Sequence, residues 1–308
     1  MRWIKQGLIF GPDGSMPWAR HSALTPTPIL IKPDVIRVYA GFRDGDGVSR
    51  IGYVDVSAEN PSTVLGVSPR PVLDIGRPGT FDDNGVILGD VIREGDRLRM
   101  YYVGFQRVQR VKFLAFSGLA FSRDGGNSFQ RSGPAPVMDR DSDALYIRAI
   151  HTVLFEEGRW RTWYAGGSGW QILNGQPYPR YTIWYTESPN GLDYRSPGSL
   201  CLDVSGSEYR IGRPRVYKKD GGYQMYFTWG DTRGGYFPGY AESADGINWA
   251  RRDDLLGLKL SASGWDSKTL CYPSLLRWND RTYLFYNGND MGRDGFGYAL
   301  GVESSETC

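Results

Sequence analysis

One pattern recurs five times along the chain and limits its fold more than any other feature. Each copy alternates apolar and polar residues and is rich in aromatic and β-branched side chains, which is typical of a β-strand. The five copies are DVIRVYAGFRD at 34–44, DRLRMYYVGF at 96–105, GRWRTWYAGG at 158–167, GGYQMYFTWGD at 221–231 and DRTYLFYNGND at 280–290. Their central aromatics lie 63, 62, 63 and 59 residues apart and are Tyr39, Tyr102, Tyr164, Phe227 and Tyr286. Five such units fill the 308 residues.

Each unit contains further strand-like segments in a fixed order. An apolar segment precedes each central aromatic, and the five are TPTPILI, LGDVI, RAIHTVLF, GRPRVY and CYPSLL. A third segment follows the aromatic, as in GYAESADG, and a fourth follows that, as in WARRDDLLGLKL. No stretch has helical periodicity. Four antiparallel strands repeated five times predict an all-β fold, a five-bladed β-propeller that forms a single domain over residues 1–308.

The two ends of the chain fit the same pattern. The last unit stops soon after its third strand, GYALGV, whereas RWIKQGLIF near the N-terminus resembles a fourth strand without a unit. We therefore expect residues 3–10 to close the last blade. The repeated aromatics, including Trp163, Tyr226 and Phe285, are expected to form the blade cores.

Composition excludes several classes of protein. Aromatic residues make up 14% of the chain, which argues against intrinsic disorder, and no apolar run approaches the ~20 residues that span a bilayer. The 36 Lys and Arg nearly balance the 34 Asp and Glu, so the basic excess of nucleic-acid-binding proteins is missing. We expect neither a nucleic-acid nor a membrane partner. The start MRWIKQGLIFGPDG lacks the features of a signal peptide, which predicts a cytoplasmic protein.

Residues that commonly bind metals are scarce. Cys201, Cys271 and Cys308 have no metal-binding spacing, and the only histidines are His21 and His151. We therefore expect no metal site and no cofactor, with an ion in the central channel as an open alternative. The oligomeric state is left undetermined.

Several motifs resemble a known superfamily. The acidic turn Ser243–Trp249 after GYAE, on five repeated units, resembles the propellers of glycoside hydrolase families 43 and 32 and the mannoside phosphorylases of family 130. FDDNGV, RWRTWYAGGSGW, YRIGRP and CYPSLL with FYNGND are similar to a branch of that superfamily associated with bacterial polysaccharide loci. The resemblance covers the whole chain. It implies sugar binding at the mouth of the central channel and, in the hydrolases, a carboxylate acid and a carboxylate base.

The chain departs from this family at the expected carboxylate positions. The corresponding residues, next to the proline or its equivalent on each innermost strand, are Thr25, Leu88, Ile150, Arg213 and Tyr272. Carboxylates occur slightly upstream instead. Asp83 and Glu208 are our candidates for the acid and base, and Asp90, within an innermost strand, is a third catalytic candidate. A structural role at the blade entry is the alternative for these carboxylates.

Polar residues that break the fivefold pattern are the candidates for substrate binding. Arg213 and Arg215 are two apart on one strand and should share a face, where they meet either carboxylates or an anionic ligand. Trp170, with Tyr178, suggests a stacking platform for a sugar. The full set comprises Arg20, His21, Arg43, Asp44, Arg148, His151, Trp170, Arg213, Arg215, Tyr272, Asn289 and Asp290.

The sequence thus favours a glycoside hydrolase-like enzyme, similar to family 43, that acts on a bacterial saccharide at the channel mouth. The surplus of arginines suggests that the saccharide is charged. A glycosyltransferase or glycoside phosphorylase is the first alternative, since nucleotide sugars, phosphosugars and phosphate are anionic. A glycan-binding propeller without catalysis is the second.

Overall fold

The computed structural model describes residues 2–194 and 198–302, which form an all-β fold. The strands are β1 (Arg2–Phe10), β2 (His21–Lys32), β3 (Val35–Arg43), β4 (Ser49–Ser57), β5 (Val64–Val67), β6 (Val86–Glu94), β7 (Arg97–Gln106), β8 (Leu114–Ser122), β9 (Gln130–Arg131), β10 (Ile147–Glu156), β11 (Arg159–Leu173), β12 (Gln176–Ser188), β13 (Ser199–Leu202), β14 (Glu208–Lys219), β15 (Gly222–Asp231), β16 (Tyr236–Ser243), β17 (Ala250–Arg251), β18 (Cys271–Trp278), β19 (Arg281–Asn287) and β20 (Phe296–Val302). In the described residues, helical structure is confined to a 3-10 turn at Asp253–Leu255 and a four-residue helix, α1, at Asn289–Gly292.

The strands pair in sequence order within each unit. Three sheets have four strands each, in the orders β2-β3-β4-β5, β14-β15-β16-β17 and β1-β20-β19-β18. An eight-stranded sheet has the order β13-β12-β11-β10-β8-β7-β6, with β9 on β8. Its two halves are joined only by a parallel contact in which Ile147 faces Ala115 and Arg148 faces Phe116. The five repeated runs are β3, β7, β11, β15 and β19, which confirms the strand prediction.

The N-terminal strand pairs with the C-terminal part of the chain, as predicted. β1 is antiparallel to β20, from Arg2 opposite Val302 to Phe10 opposite Phe296. Trp3 on this strand is buried, and its indole N–H donates to the carbonyl of Leu256 at 2.9 Å. The first and last described residues therefore belong to one sheet.

Aromatic side chains fill the space between neighbouring sheets. Trp163 and Phe285 are fully buried, and Tyr226 is nearly so. The indole N–H of Trp163 donates to the Gly246 carbonyl in the acidic turn of the next unit, at 2.8 Å. This packing explains the aromatic repeat, because each ring buries a large apolar area, and the polar atom of an aromatic side chain such as Trp163 can still reach a backbone partner.

The first strand of every unit carries an irregularity at the same point. The pairing of β2, β6, β10, β14 and β18 with the following strand shifts register beside the positions compared in the sequence analysis. Thr25, Arg213 and Tyr272 have φ values of 55°, 55° and 56°, a left-handed conformation that is costly for residues with a Cβ. Successive first strands contact one another, and β18 contacts β2. The shifts therefore place five bulged residues on neighbouring strands.

Candidate functional site

A cavity of about 920 Å³ opens beside the bulges of the first strands. Its walls come from these strands, from β12 and from the β3–β4 and β7–β8 connections. Four of the predicted binding residues line it, namely Arg43, His151, Arg213 and Tyr272. The structure thus brings together residues from β3, β10, β14 and β18 that are up to 229 positions apart in the sequence.

The cavity lining is strongly cationic. Asp46 is the only carboxylate among the described residues that line it. The arginine and lysine side chains of the lining are Arg43, Arg107, Arg110, Lys112, Arg210 and Arg213. Such an excess of one sign raises the local concentration of anionic ligands and favours their binding.

Arg213 closes one side of the cavity by crossing to three other first strands. Its Nη2 donates to Thr27 Oγ1 at 2.9 Å and to the Thr25 carbonyl at 3.4 Å, both on β2. Its Nη1 donates to the Leu88 carbonyl on β6 and to His151 Nδ1 on β10 at 3.1 Å. These contacts occupy four of the five guanidinium donors. Burial, with Arg215 adding to it, lowers the pKa of Arg213 to about 9, which still leaves it charged at neutral pH.

His151 sits at the bulge of β10 and is held in one tautomer. Because an arginine can only donate, Nδ1 of His151 must accept, and the ring proton therefore resides on Nε2. Burial, followed by the charges of Arg213 and Arg215, lowers the pKa of His151 well below its ordinary value. The ring is thus a neutral hydrogen-bond donor at the cavity wall.

Asp90 and Arg215 form a buried ion pair. Asp90 Oδ1 lies 2.7 Å from Arg215 Nη1, and the other carboxylate oxygen accepts from the Val153 amide at 2.9 Å. Arg215 also donates to the His151 carbonyl at 2.8 Å. Neither charged group lines the cavity. The pair links β6, β10 and β14, which is the carboxylate alternative that the sequence left open for Arg215.

Arg210 lies on the cavity wall inside a cage of tyrosines. Its guanidinium carbon is 4.3 Å from the ring centre of Tyr236, 4.7 Å from Tyr209, and 5.7 Å from both Tyr178 and Tyr181. The residue is 7% exposed, and its buried Nε has no hydrogen-bond partner. The guanidinium makes no ion pair with any described residue.

Two phenols of the cage, those of Tyr209 and Tyr236, keep their protons at neutral pH. Burial raises the pKa of Tyr209 to about 12 and that of Tyr236 well above its ordinary value. The cage therefore supplies aromatic faces and hydroxyl groups around a single positive charge, with no carboxylate in it.

Further aromatic residues line the cavity. Phe105 and Phe113 stack edge to face with ring centres 5.2 Å apart, and Tyr178 lies on the wall formed by β12. Trp170, predicted as a stacking platform, packs behind Phe113 at 5.6 Å and is not part of the lining. Of the two predicted platform residues, the structure thus places Tyr178 on the cavity.

Glu208 belongs to an ion pair that recurs in the fold. In three units, a carboxylate before or at the start of the first strand meets a cation on the outer strand of its sheet. The pairs, at 2.7, 2.7 and 2.6 Å, are Asp82 with Arg131, Glu208 with Arg251 and Asp266 with Lys5. Glu208 also accepts from the Ser205 amide at 3.0 Å. This repetition indicates a structural role at the unit entry.

Asp83 is likewise outside the cavity. Its carboxylate accepts from the Gly79 amide at 2.9 Å, within the loop before β6. The structure therefore does not bring Asp83, Asp90 and Glu208 together at the cavity. Their assignment as catalytic groups stays a prediction that this geometry does not favour.

The other predicted binding residues mostly stabilise loops away from the cavity. Arg20 donates to the Gly14 carbonyl at 2.5 Å, and His21 Nδ1 lies 2.8 Å from Ser22 Oγ. Burial, with Arg293 and Arg43, lowers the pKa of His21. The remaining contacts are those of Asp44 with Arg50 at 2.7 Å, Arg148 with Asp141 at 3.2 Å and Asn289 with the Lys268 amide at 2.8 Å, while Asp290 is exposed in α1.

Sequence reasoning missed the basic residues of the β7–β8 connection. Arg107, Arg110 and Lys112 line the cavity but lie between two strands of one unit, where the alternating strand pattern does not extend. The run QRVQRVK was the available signal, because it places three cations in a connection near the first strands. Arg210 also lines the cavity and was not among the predicted binding residues.

No protein-family model matches the chain. The chain is 32% identical over 302 residues to the uncharacterized protein Rv1502 of Mycobacterium tuberculosis strain H37Rv, covering 97% of this chain and 99% of that protein. Over 84 residues it is 36% identical to sucrose-6-phosphate hydrolase of Bacillus subtilis, covering 26% of this chain and 16% of that protein.

Solved structures with the same fold include proteins described as glycoside hydrolases. A putative glycoside hydrolase from Bacteroides ovatus superposes with a TM-score of 0.72 at 14% identity, covering 98% of this chain and 97% of that one. A structure from the GH130 family of mannoside phosphorylases gives a TM-score of 0.68 at 15% identity, covering 97% and 93%.

These likenesses identify the fold of the protein. Its fold is that of the propeller glycosidase superfamily, as the sequence motifs predicted. Within that class, the chain belongs to the same family as Rv1502. Across residues 2–194 and 198–302, no helix is long and apolar enough to cross a membrane.

Proposed function

We propose that this protein is a glycosidase-type enzyme that acts on the glycosidic bond of an anionic saccharide bound in the cavity. The cationic lining carries the proposal, because six positive side chains face a single carboxylate among the described lining residues. Binding a neutral oligosaccharide does not require such an excess of positive charge. Guanidinium and ammonium groups are the usual partners of phosphate and carboxylate groups.

We also propose that the strands form five blades around a central channel. The four strands assigned to each unit, the continuous contacts from β2 through β18 and back to β2, and the pairing of β1 with β20 support this arrangement. The cavity then occupies one mouth of the channel, in a single domain.

Phosphorolysis, or transfer involving a phosphate-bearing substrate, is the reaction that the lining favours over hydrolysis. Hydrolysis requires a base to activate water, usually a carboxylate, whereas a phosphate oxygen is already nucleophilic. In phosphorolysis, the phosphate oxygen bonds to the anomeric carbon as the glycosidic C–O bond breaks. The leaving oxygen takes the proton that hydrogen phosphate carried, so charge and atoms balance.

The names of two similar proteins are consistent with an anionic substrate or co-substrate. Sucrose-6-phosphate hydrolase acts on a phosphorylated sugar, and mannoside phosphorylases use phosphate. The matched segment of the hydrolase is short, and the phosphorylase resembles this chain in fold alone. The two names therefore support the proposal but do not carry it.

A product screen tests this function. The purified protein is incubated with pools of neutral, carboxylated and phosphorylated oligosaccharides and with nucleotide sugars, each with and without phosphate, and products are identified by mass. We expect a phosphate-dependent sugar phosphate or a transfer product from an anionic pool. Turnover confined to neutral saccharides contradicts the proposal, and ligand-induced thermal stabilisation without any product indicates a glycan-binding protein.

The predicted acid and base are tested in the same screen. If Asp83 and Glu208 act as that pair, then Asp83→Asn and Glu208→Gln each abolish turnover. Full activity in both variants eliminates the pair and leaves the phosphate-assisted reaction.

A further inference from the structure

Arg210 is a buried cation on the cavity wall, surrounded by tyrosine rings and without an acidic partner among the described residues. We propose that Arg210 and its cage bind the carboxylate of a sugar acid, so that the anionic saccharide of the proposed function is a uronic or similar acidic sugar. This inference rests on the proposed function for the saccharide, and adds its charged group and the residue that recognises it.

The donors of Arg210 need an acceptor. A guanidinium that is more than nine-tenths buried loses most of its hydration, and such charges are normally paired. Arg213, three residues along the same strand, donates four hydrogen bonds to protein acceptors. Arg210 donates none to the described residues, although it lines the same cavity. An acceptor group of a bound ligand can therefore take the hydrogen bonds of the Arg210 guanidinium at the cavity wall.

The charge of the cage selects a carboxylate over a phosphate monoester. A carboxylate carries one negative charge, which one guanidinium neutralises through two parallel hydrogen bonds. Its two Nη groups form one edge that can make this pair, and no described residue accepts a hydrogen bond from either, whereas Nε is buried against the neighbouring strand beside Gly230. A phosphate monoester carries about −1.5 to −2 at neutral pH, so one guanidinium leaves part of that charge buried without compensation.

The walls of the cage suit the rest of a sugar. The phenol group of Tyr236, which lines the cavity, remains protonated and can donate to a carboxylate oxygen or to a sugar hydroxyl. Tyr178 lies between Arg210 and Lys112, with Lys112 Nζ 5.8 Å from its ring centre. A sugar bound through its carboxylate therefore meets aromatic faces next to the anchoring charge.

A matched ligand panel tests the assignment. Binding of glucuronate, galacturonate and short oligouronides is measured by calorimetry and thermal shift, against glucose 6-phosphate, glucose 1-phosphate and neutral oligosaccharides of equal length. The proteins are the wild type, Arg210→Lys, Arg210→Gln and the exposed control Arg252→Gln. Lysine keeps the charge but lacks the two-pronged edge.

We expect at least one sugar acid to bind, and expect Arg210→Gln and Arg210→Lys to weaken its affinity at least 10-fold while Arg252→Gln does not. Unchanged affinity in both Arg210 variants, or Arg210-dependent binding of a sugar phosphate in preference to every sugar acid, overturns the carboxylate assignment and leaves the proposed function standing. No binding of any saccharide class, together with an inactive product screen, removes both.

Discussion

Two arginines on β14 differ sharply in what their donors do. Arg213 reaches across to β2, β6 and β10 and is held there by carbonyl, hydroxyl and imidazole acceptors. Arg210 lies three residues earlier on the same strand, and its guanidinium contacts aromatic rings without a hydrogen-bond acceptor among the described residues. The two residues are of one type and are similarly buried, so they differ in their partners alone. Arg213 holds the strands together, whereas Arg210 is available to a ligand.

The largest expected effect on stability concerns the buried Asp90–Arg215 ion pair, which joins the same first strands as Arg213 does. Asp90→Ala leaves a buried guanidinium without its carboxylate, so we expect the free energy of unfolding to fall by about 3–5 kcal/mol. Urea denaturation measures this value. Asp83→Ala, which removes one exposed contact, serves as the control and should change stability by about 0.5 kcal/mol or less. Equal effects in the two variants contradict the structural role of Asp90.

Glu208 should behave as part of the recurring ion pair. Glu208→Gln weakens its contact with Arg251, and we expect a loss of about 1–3 kcal/mol in the free energy of unfolding. Arg251→Gln should cost a similar amount, and the double variant less than the sum of the two. Strictly additive losses, together with abolished turnover in Glu208→Gln alone, indicate a catalytic carboxylate instead.

His151 makes stability depend on pH. The unfolded chain protonates this histidine near its ordinary pKa of 6.5, whereas the folded protein keeps it neutral to much lower pH. Folding is therefore opposed below pH 6.5, by about 1.4 kcal/mol for each further pH unit until the folded pKa is reached. His151→Gln should flatten the decline in stability between pH 6.5 and 5.5. An identical pH profile in wild type and variant contradicts the neutral assignment.

Arg210 should contribute least to stability. Arg210→Met removes a buried charge that has no partner, so we expect the free energy of unfolding to stay constant or rise by about 1 kcal/mol. Thermal denaturation without ligand measures this. A loss as large as that of Asp90→Ala shows that Arg210 holds the fold together, and ends the distinction between the two arginines.

The repeat made the strands predictable, and the site was much less so. Alternation around Tyr39 and its four counterparts located the second strand of every unit, and the unmatched N-terminal segment located β1. The register shifts were not predictable, because Thr25, Arg213 and Tyr272 are not residue types that favour the left-handed conformation they adopt. Without those shifts, the direction of each side chain on a first strand cannot be assigned.

The same limit explains the carboxylates. The motif around Glu208 differs from those of the other units, yet Glu208, Asp82 and Asp266 each form the same kind of ion pair with a cation on an outer strand. These cations lie as much as 261 residues away in the sequence, so the pairing could not be seen in the local motif. Arg43, His151, Arg213 and Tyr272 were recognised because a repeated scaffold does not require them. Arg107, Arg110 and Lys112 lie in a connection, where strand periodicity carries no information.

The pairing of β1 with β20 has a consequence for synthesis on the ribosome. Arg2 is synthesised about 300 residues before its partner Val302, so β1 waits roughly 15–60 s for β20 at 5–20 residues per second. During that time its edges are open to other nascent chains. Lys5, whose partner Asp266 is also made late, and the bulge at Gly7, with φ of 96°, make β1 a poor template for such pairing.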